Sequence, residues 1–232
     1  MKRVFCSLLL ATISINLYAQ NCKGYYYLSN GSVEMTIYDK KGKESGKAVY
    51  NFSDVNNTGN TTSANFSVTI SDEKGKTLST SSGKYKCAGG VLYMDARVAF
   101  PQEQMAAYKD MEVRAPEVFI EYPATLSAGQ SLSAVSIKME MYNKGALHST
   151  TSFDQSNRKV VAKETITTPA GTFECWKITY DARLKASIAP MNIGVPFNFK
   201  GTEWFAPHFG IVKTETHNKN GKLIGSTMIS KK

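Results

Sequence analysis

Asp39-Lys40-Lys41-Gly42-Lys43 is the first of three closely similar five-residue stretches in this chain. The other two are Asp72-Glu73-Lys74-Gly75-Lys76 and Asn218-Lys219-Asn220-Gly221-Lys222, and each lies between stretches of alternating apolar residues. A type I turn followed by a glycine in the left-handed region closes a short hairpin, and an Asp or Asn at its start hydrogen-bonds to its own backbone. The three stretches therefore predict β-hairpins.

The same pattern extends over most of the chain. Ala64, Phe66, Val68 and Ile70 alternate with polar residues, which is typical of a strand with one buried face. Pro169-Ala170-Gly171 predicts another tight turn, with Gly171 at positive φ. The predicted strands are residues 32–39, 46–55, 62–72, 77–87, 91–98, 118–122, 137–142, 148–153, 160–168, 172–181, 191–199, 204–205, 211–217 and 223–229.

One short helix is predicted near residues 101–111, because Pro101 suits a first helical turn and good helix formers follow it. The predicted fold class is therefore mainly β. A long antiparallel hairpin meander forms a curled sheet that becomes an open half-barrel or a barrel, because so long a sheet must curl or pack to bury one face. A sandwich is also compatible with the pattern.

The N-terminus has the pattern of a secretory signal. Lys2 and Arg3 precede an apolar run that is too short to span a bilayer, and Ala19 is a small residue at a cleavage position. We predict a signal peptide at residues 1–19 and a single β-rich domain at residues 20–232. The alternative is a lipoprotein acylated at Cys22, which Asn21 disfavours. No later stretch predicts a transmembrane helix, so we expect an exported, soluble protein of the periplasm or the exterior.

The charge does not predict nucleic-acid binding. The formal charge of the chain is +9, and it falls to +7 when Lys2 and Arg3 are removed with the signal. The three turns hold seven lysines and three acids, which accounts for +4. Lysine in turns keeps hairpins soluble and discourages edge pairing. Because the turns are spread along the chain, we expect no single basic patch and no nucleic-acid partner.

Three cysteines remain after signal removal, which is an odd number for an oxidising compartment. Cys22 and Cys87 flank predicted strand ends, where a bridge is easily accommodated, and we predict a disulfide between them. Cys175 lies within a predicted strand, where a cysteine usually acts as a small core residue.

Two C-terminal motifs carry a family resemblance. They are Thr168-Pro169-Ala170-Gly171-Thr172-Phe173-x-Cys175-x-Lys177 and Glu203-Trp204-Phe205-Ala206-Pro207-x-x-Gly210-Ile211-Val212-Lys213. With these motifs the chain resembles the exported bacterial family of unknown function that is called TapB-like. The resemblance covers most of the mature chain and implies an exported β-rich fold. It implies no activity, substrate or cofactor.

The sequence contains no convincing catalytic or metal motif. No Gly-x-Ser-x-Gly, Cys-x-x-Cys or His-Glu-x-x-His occurs, and His148, His208 and His217 have no metal-ligand spacing. We therefore expect no enzyme activity, no catalytic residue, no metal and no cofactor.

An apolar face is the candidate binding site. Residues 191–199 alternate, and Pro196 cannot donate to a sheet ladder, which indicates an edge strand or a break. Such a strand suits the wall of a ligand groove, with flexible methionines beside it. The predicted ligand-binding residues are Met139, Met141, Met191, Ile193, Val195, Phe197 and Phe199. We expect a non-catalytic binding or carrier module for an apolar small molecule or lipid. The alternatives are a structural or protein-interaction module that binds another envelope protein, and ordinary sheet packing of this face.

Overall fold

The computed structural model describes Cys22 and residues 25–99, 111–191, 193–194 and 196–232. The predicted signal peptide and residues 101–110 of the predicted helix lie outside these described residues. Within them, thirteen strands form one antiparallel sheet, and helical structure is limited to 3-10 turns at Tyr26–Leu28 and Ala96–Ala99. The prediction of a mainly β chain with a curled half-barrel sheet is confirmed.

The strands, in chain order, are β1 Gly31–Asp39, β2 Glu44–Thr58, β3 Thr61–Asp72, β4 Thr77–Ala88, β5 Val91–Asp95, β6 Glu112–Arg114, β7 Phe119–Tyr122, β8 Val135–Asn143, β9 Ala146–Thr168, β10 Gly171–Ile188, β11 Pro196–Ala206, β12 Gly210–Asn218 and β13 Leu223–Lys231. Their order across the sheet is β6-β8-β9-β10-β11-β12-β13-β1-β2-β3-β4-β5-β7. Two hairpin meanders, β1–β5 and β8–β13, are thus joined where the first strand pairs with the last.

The three lysine-containing turns have the expected geometry. Oδ1 of Asp39 accepts hydrogen bonds from the backbone N–H groups of Lys41 and Lys43, at 2.7 and 2.9 Å. The same two bonds are made by Oδ1 of Asp72 and by Oδ1 of Asn218 in the other two turns. The glycine that follows has a φ of 76° to 80° in all three. These turns close the β1–β2, β3–β4 and β12–β13 hairpins.

Several strands differ in length from their prediction. Strand β9 is continuous where two strands were expected, because the chain crosses Asn157 at a positive φ of 52° without leaving the sheet. Strand β5 ends at Asp95 rather than Val98. The Asp95 carboxylate accepts the backbone N–H of Arg97 at 3.0 Å, which turns the chain into the 3-10 segment.

The curl brings the two edges of the sheet close together. Strands β6 and β7 are at opposite edges, yet only residues 115–118 separate them in the chain. Five Cα–Cα steps span at most about 18 Å, so the edges cannot lie farther apart than that at this point. Arg158 on β9 also donates from Nη1 to the carbonyl of Glu121 on β7, at 3.2 Å. The concave face is therefore enclosed by its own sheet.

The N-terminal residues are attached to both halves of the sheet. A disulfide joins Cys22 to Cys87 at the end of β4. The backbone N–H of Tyr26 donates to the carbonyl of His208 at 3.0 Å, in the connection between β11 and β12. The ring of Tyr27 packs against Phe52 on β2, with ring centroids 5.0 Å apart.

Candidate functional site

The structure separates the seven predicted ligand-binding residues into two groups. Met139, Met141 and Phe199 are buried in the core. By contrast, Met191, Ile193 and Phe197 are exposed by 74%, 72% and 45%. Val195 lies outside the described residues. The seven residues therefore do not form the continuous apolar groove wall that the alternation suggested.

The predicted edge position is confirmed only for the first three residues of β11, which pair with β10 alone. Strand β11 pairs with β10 on one side and with β12 on the other. Pro196 is tolerated because it is the first residue of the strand, and pairing with β12 begins only at Phe199. The methionines of β8 are also not its neighbours, because β9 and β10 lie between β8 and β11.

Aromatic and aliphatic side chains fill the concave face beneath these strands. The ring of Tyr122 on β7 stacks on the ring of Phe205 on β11, with centroids 4.5 Å apart and an interplanar angle of 9°. Ile137 and Phe153 are each 1% exposed. A half-barrel whose edge strand packs directly on its far wall buries its own side chains where a ligand would otherwise lie.

The exposed apolar residues instead gather at one end of the sheet. The described residues include seven large apolar side chains that are exposed, and five of them lie at or near the connecting ends of two neighbouring hairpins, β8–β9 and β10–β11. We call this set the apolar end. Its members are Leu147, Ile188, Met191, Ile193 and Phe197.

Cross-strand pairing brings the members of the apolar end together. The backbone N–H of Ala189 donates to the carbonyl of His148 at 2.9 Å, which ties the two hairpins side by side. Ile188 forms a β-bridge with Ile193, and Leu184, four residues before Ile188, is opposite Phe197. Leu147 and Ile188 also line a common open depression of about 400 Å³.

The apolar end is exposed because its strands are longer than their neighbours. Strand β12 ends at Asn218, opposite Phe199, which in turn is opposite Ala182 on β10. The six residues that follow Ala182, up to Ile188, extend about 20 Å beyond that level. No described strand covers this projection on the β12 side. Leu147 and Ile188 were not among the predicted ligand-binding residues, although each directly adjoins a turn or connection between strands.

The same end of the sheet carries all three lysine-containing turns. In an antiparallel meander, alternate connections lie at the same end, so the β1–β2, β3–β4, β8–β9, β10–β11 and β12–β13 connections are grouped together. Lys43 in the first turn forms an ion pair with Glu73 in the second, at 3.1 Å. Asp39 is opposite Gly225, which places the first and third turns next to each other.

The expectation that these turns form no single basic region is therefore wrong. The sheet topology gathers turns that are distant in the sequence. Together with Lys144 of the β8–β9 turn, these turns hold eight exposed lysines and three acids, which is a net charge of 8 − 3 = +5, and Glu44 directly follows the first turn. The four hairpin connections at the opposite end, residues 59–60, 89–90, 169–170 and 207–209, contain no Lys, Arg, Asp or Glu.

A second depression, of about 440 Å³, lies beside the third lysine turn. It is lined by charged and polar side chains that include Asp154, Asp181, Arg183, Lys200 and Lys219. Asp181 is already bonded to the side-chain amide of Asn157 at 2.8 Å, and Asp154 to Ser136 at 2.6 Å. Ala182 and Phe199 also line this depression, and it differs from the depression at the apolar end in the number of charged side chains around it.

A buried polar cluster lies inside the half-barrel. Glu203 accepts a hydrogen bond from the hydroxyl of Tyr122 at 3.0 Å, and Arg158 Nη2 lies 3.5 Å from the same carboxylate. Burial raises the pKa of Glu203, although the positive charge of Arg158 opposes this shift. The side chains of Arg158 and Glu203 are 0% and 4% exposed, so this cluster has no contact with a solvent-borne substrate.

The other predicted chemical groups are structural in their placement. Cys175 is a free, buried cysteine, and burial raises the pKa of its thiol to about 12. In the part of the chain that the structure describes, no three His, Cys, Asp or Glu residues are grouped as metal ligands. Across the same residues, no helix has the length and apolar character needed to cross a bilayer.

Two solved structures share this architecture. One is a Bacteroides fragilis protein, described as exported and as having a YmcC-like fold, with a TM-score of 0.70 and 23% identity over 86% of this chain and 93% of that one. The other is a Parabacteroides distasonis protein, described as a lipoprotein, with a TM-score of 0.76 and 23% identity over 91% and 99% of the two chains. At this identity they establish the fold. No curated protein matches the chain.

The family is established by sequence. Residues 30–229 match the family that is described as DUF3108-like. The match includes both C-terminal motifs and the whole of the sheet except the last residues of β13. It does not confirm the narrower TapB-like assignment. The chain belongs to the DUF3108-like family.

Proposed function

We propose that the chain is an exported, non-catalytic protein that binds an apolar partner at the apolar end of its sheet. The observation that carries this proposal is the clustering of exposed apolar side chains. Five of the seven that the described residues expose lie at or near the connecting ends of two adjacent hairpins. Exposed apolar side chains that occur singly are ordinary on protein surfaces, whereas contiguous groups mark interaction sites.

The filled concave face favours surface contact over an internal cavity. The stack of Tyr122 on Phe205 and the buried Phe153 occupy the space in which a carrier would enclose its ligand. An apolar ligand would therefore contact Ile188, Met191 and Ile193 at the rim. Met139 and Met141 would support this rim from the core.

Placement in the cell envelope is supported by the N-terminus and by the relatives. Residues 1–19 have the composition of a secretory signal. The two similar structures are described as an exported protein and as a lipoprotein. The absence of catalysis is proposed because the sequence has no nucleophile motif. It is also supported by the raised pKa of Cys175, which leaves few thiolates for a reaction near neutral pH.

A structural or protein-interaction module is the second candidate. The apolar end is formed by projecting hairpins rather than by a deep pocket, and a projecting apolar surface also suits a protein partner. The two candidates share the same surface, and they differ in whether the partner is a small apolar molecule or a protein.

Binding of an environment-sensitive apolar dye to the exported protein tests the proposal. We expect fluorescence enhancement that falls at least fivefold in the Ile193→Asp variant. The matched control is Val161→Asp, because Val161 is exposed by 46% but lies outside the apolar end. Both substitutions place one charge at an exposed position, so both variants should fold. Equal dye binding by the wild type and both variants would contradict the proposal.

A further inference from the structure

We propose that the partner of the apolar end is the surface of an anionic phospholipid membrane, on which the half-barrel stands with its lysine-bearing end facing the lipid. This inference rests on the proposed function and names the partner. It follows from two independent properties of the same end of the sheet, namely its apolar projection and its positive charge.

The first property is the shape of the apolar end. The β8–β9 and β10–β11 hairpins project beyond the end of β12, and their connections carry Leu147, Ile188, Met191 and Ile193. Apolar side chains of interfacial segments enter the boundary between headgroups and acyl chains to a depth of about 5–10 Å. A projection of about 20 Å can reach this depth while the rest of the sheet stays in water.

The second property is charge. Lys144 lies in the β8–β9 turn and lines the same depression as Leu147 and Ile188, so it reaches the level of the lipid headgroups when those residues insert. The three lysine-containing turns are set back along the strands and contribute attraction over distance. Such attraction falls off over a Debye length, about 10 Å at 0.1 M salt, so turns that are set back by up to about 20 Å contribute less than Lys144 and contribute most at low salt. The four hairpin connections at the opposite end carry no charged residue, and positive charge there comes from Lys232 beside Gly171.

The charge also argues against the alternative occupants. A second copy that packed its apolar end on the first would bring two regions of charge +5 together. A protein partner of ordinary composition would not account for lysines around the apolar residues, because lysine is depleted in protein interfaces. An anionic lipid surface would accept the apolar side chains in its acyl region and attract the lysines with its headgroups.

Flotation of the exported protein with vesicles tests the inference. Vesicles of phosphatidylcholine with 30% phosphatidylglycerol are compared with vesicles of phosphatidylcholine alone. We expect binding to the anionic vesicles, at least tenfold weaker binding to the neutral ones, and loss of binding between 50 and 500 mM NaCl.

Four variants assign the binding to particular residues. Ile193→Asp should weaken binding at least tenfold, and Val161→Asp should leave it unchanged. Lys144→Gln should weaken binding roughly fivefold, as expected for one lysine near an anionic surface. A variant with Gln at Lys40, Lys41, Lys219 and Lys222 should lower both the affinity and its salt dependence. All four share the wild-type N-terminus, so an N-terminal anchor cannot produce these differences.

The outcomes separate this inference from the proposed function. Dye binding without vesicle binding would overturn the membrane assignment and retain the apolar end as a site for another partner. Concentration-dependent dimers in light scattering would then identify a second copy. Vesicle binding that is lost in the lysine variants but unaffected by Ile193→Asp would overturn apolar insertion. Absence of both dye and vesicle binding would overturn the proposed function itself.

Discussion

Tyr122 and Phe205 stack face to face, with ring centroids 4.5 Å apart, although seven strands separate β7 from β11 in the sheet order. Tyr122 is on the last strand of one edge, and Phe205 is in the middle of the opposite wall. Their contact shows how far the sheet curls. It also explains why the concave face holds side chains and why the exposed apolar surface is at the end of the barrel.

The first prediction concerns this stack. Phe205→Ala should lower the free energy of unfolding by about 3–5 kcal/mol, because Phe205 is 1% exposed and its removal leaves a cavity against Tyr122. Urea unfolding followed by circular dichroism measures the change. Phe197→Ala is the control. The ring of Phe197 is on the same strand but is more exposed, so its removal should lower the free energy of unfolding much less. Equal losses in the two variants would show that the concave core is not closed by this contact.

The second prediction concerns Gly201, which is opposite Tyr180 in the β10–β11 pair. The ring of Tyr180 occupies the position that a Cβ atom at residue 201 would take. Gly201→Ala should therefore destabilise the protein by roughly 1–3 kcal/mol or more, since the ring must move. Thermal unfolding of the wild type and the variant measures this loss of stability.

The control for Gly201→Ala is Gly42→Ala. Gly42→Ala measures only the cost of placing a side chain at positive φ, because no atom lies within 4 Å of the position that its Cβ would take. In the double variant Tyr180→Leu/Gly201→Ala, the cost of the alanine should fall, because a smaller side chain leaves room for the methyl group. Additive costs would contradict a direct clash between these two residues.

The third prediction concerns the buried pair Arg158 and Glu203. Arg158→Met should cost about 3–5 kcal/mol, because it leaves the Glu203 carboxylate buried without its positive partner. The double variant Arg158→Met/Glu203→Gln should be more stable than Arg158→Met alone. A double-mutant cycle from urea unfolding measures the coupling. Strict additivity would show that the two charges do not interact in the folded protein.

The fourth prediction concerns the disulfide between Cys22 and Cys87, whose sequence separation is 65 residues. A bridge over a loop of this length stabilises a protein by about 4 kcal/mol in the chain-entropy model. Cys22→Ser/Cys87→Ser should therefore unfold at a lower urea concentration. In the native wild type, Cys175 should resist alkylation because it is buried. Rapid alkylation of one thiol without denaturant would contradict this arrangement.

The fifth prediction is a pH dependence that involves Glu164. The indole N–H of Trp204 donates to its carboxylate at 2.7 Å, and this bond, with the nearby charge of Lys177, holds the pKa of Glu164 below its ordinary value of 4.5. Because the folded pKa is the lower one, the stabilisation is present above pH 4.5 and is lost as the pH falls through the folded pKa.

Unfolding midpoints of the wild type and Glu164→Gln should therefore converge as the pH is lowered from 6 to 3. Trp204 fluorescence in a Trp176→Phe background should report the same titration, with a midpoint below 4.5. Parallel curves for the two proteins over this range would contradict the role given to Glu164.

Local sequence was sufficient to predict the hairpins. The Asp39, Asp72 and Asn218 turns formed as expected, because the turn residues and their glycines satisfy their own hydrogen bonds within five positions. Alternation also identified inward residues such as Phe66 and Ile70, which are each 3% exposed. These properties depend on neighbours along the chain, so they can be inferred from it directly.

Only the tertiary structure decided how those hairpins are grouped. Alternation assigned Phe197 and Phe199 to one apolar face, but the length of β10 relative to β12 buries Phe199 and exposes Phe197. The lysine turns are up to 183 residues apart in the sequence, counted from Asp39 to Lys222, yet the meander places them at one end. Strand order and relative strand length are set by long-range pairing and by the curl of the sheet. The sequence therefore determined the local turns and faces, and the non-local contacts decided where the candidate site lies.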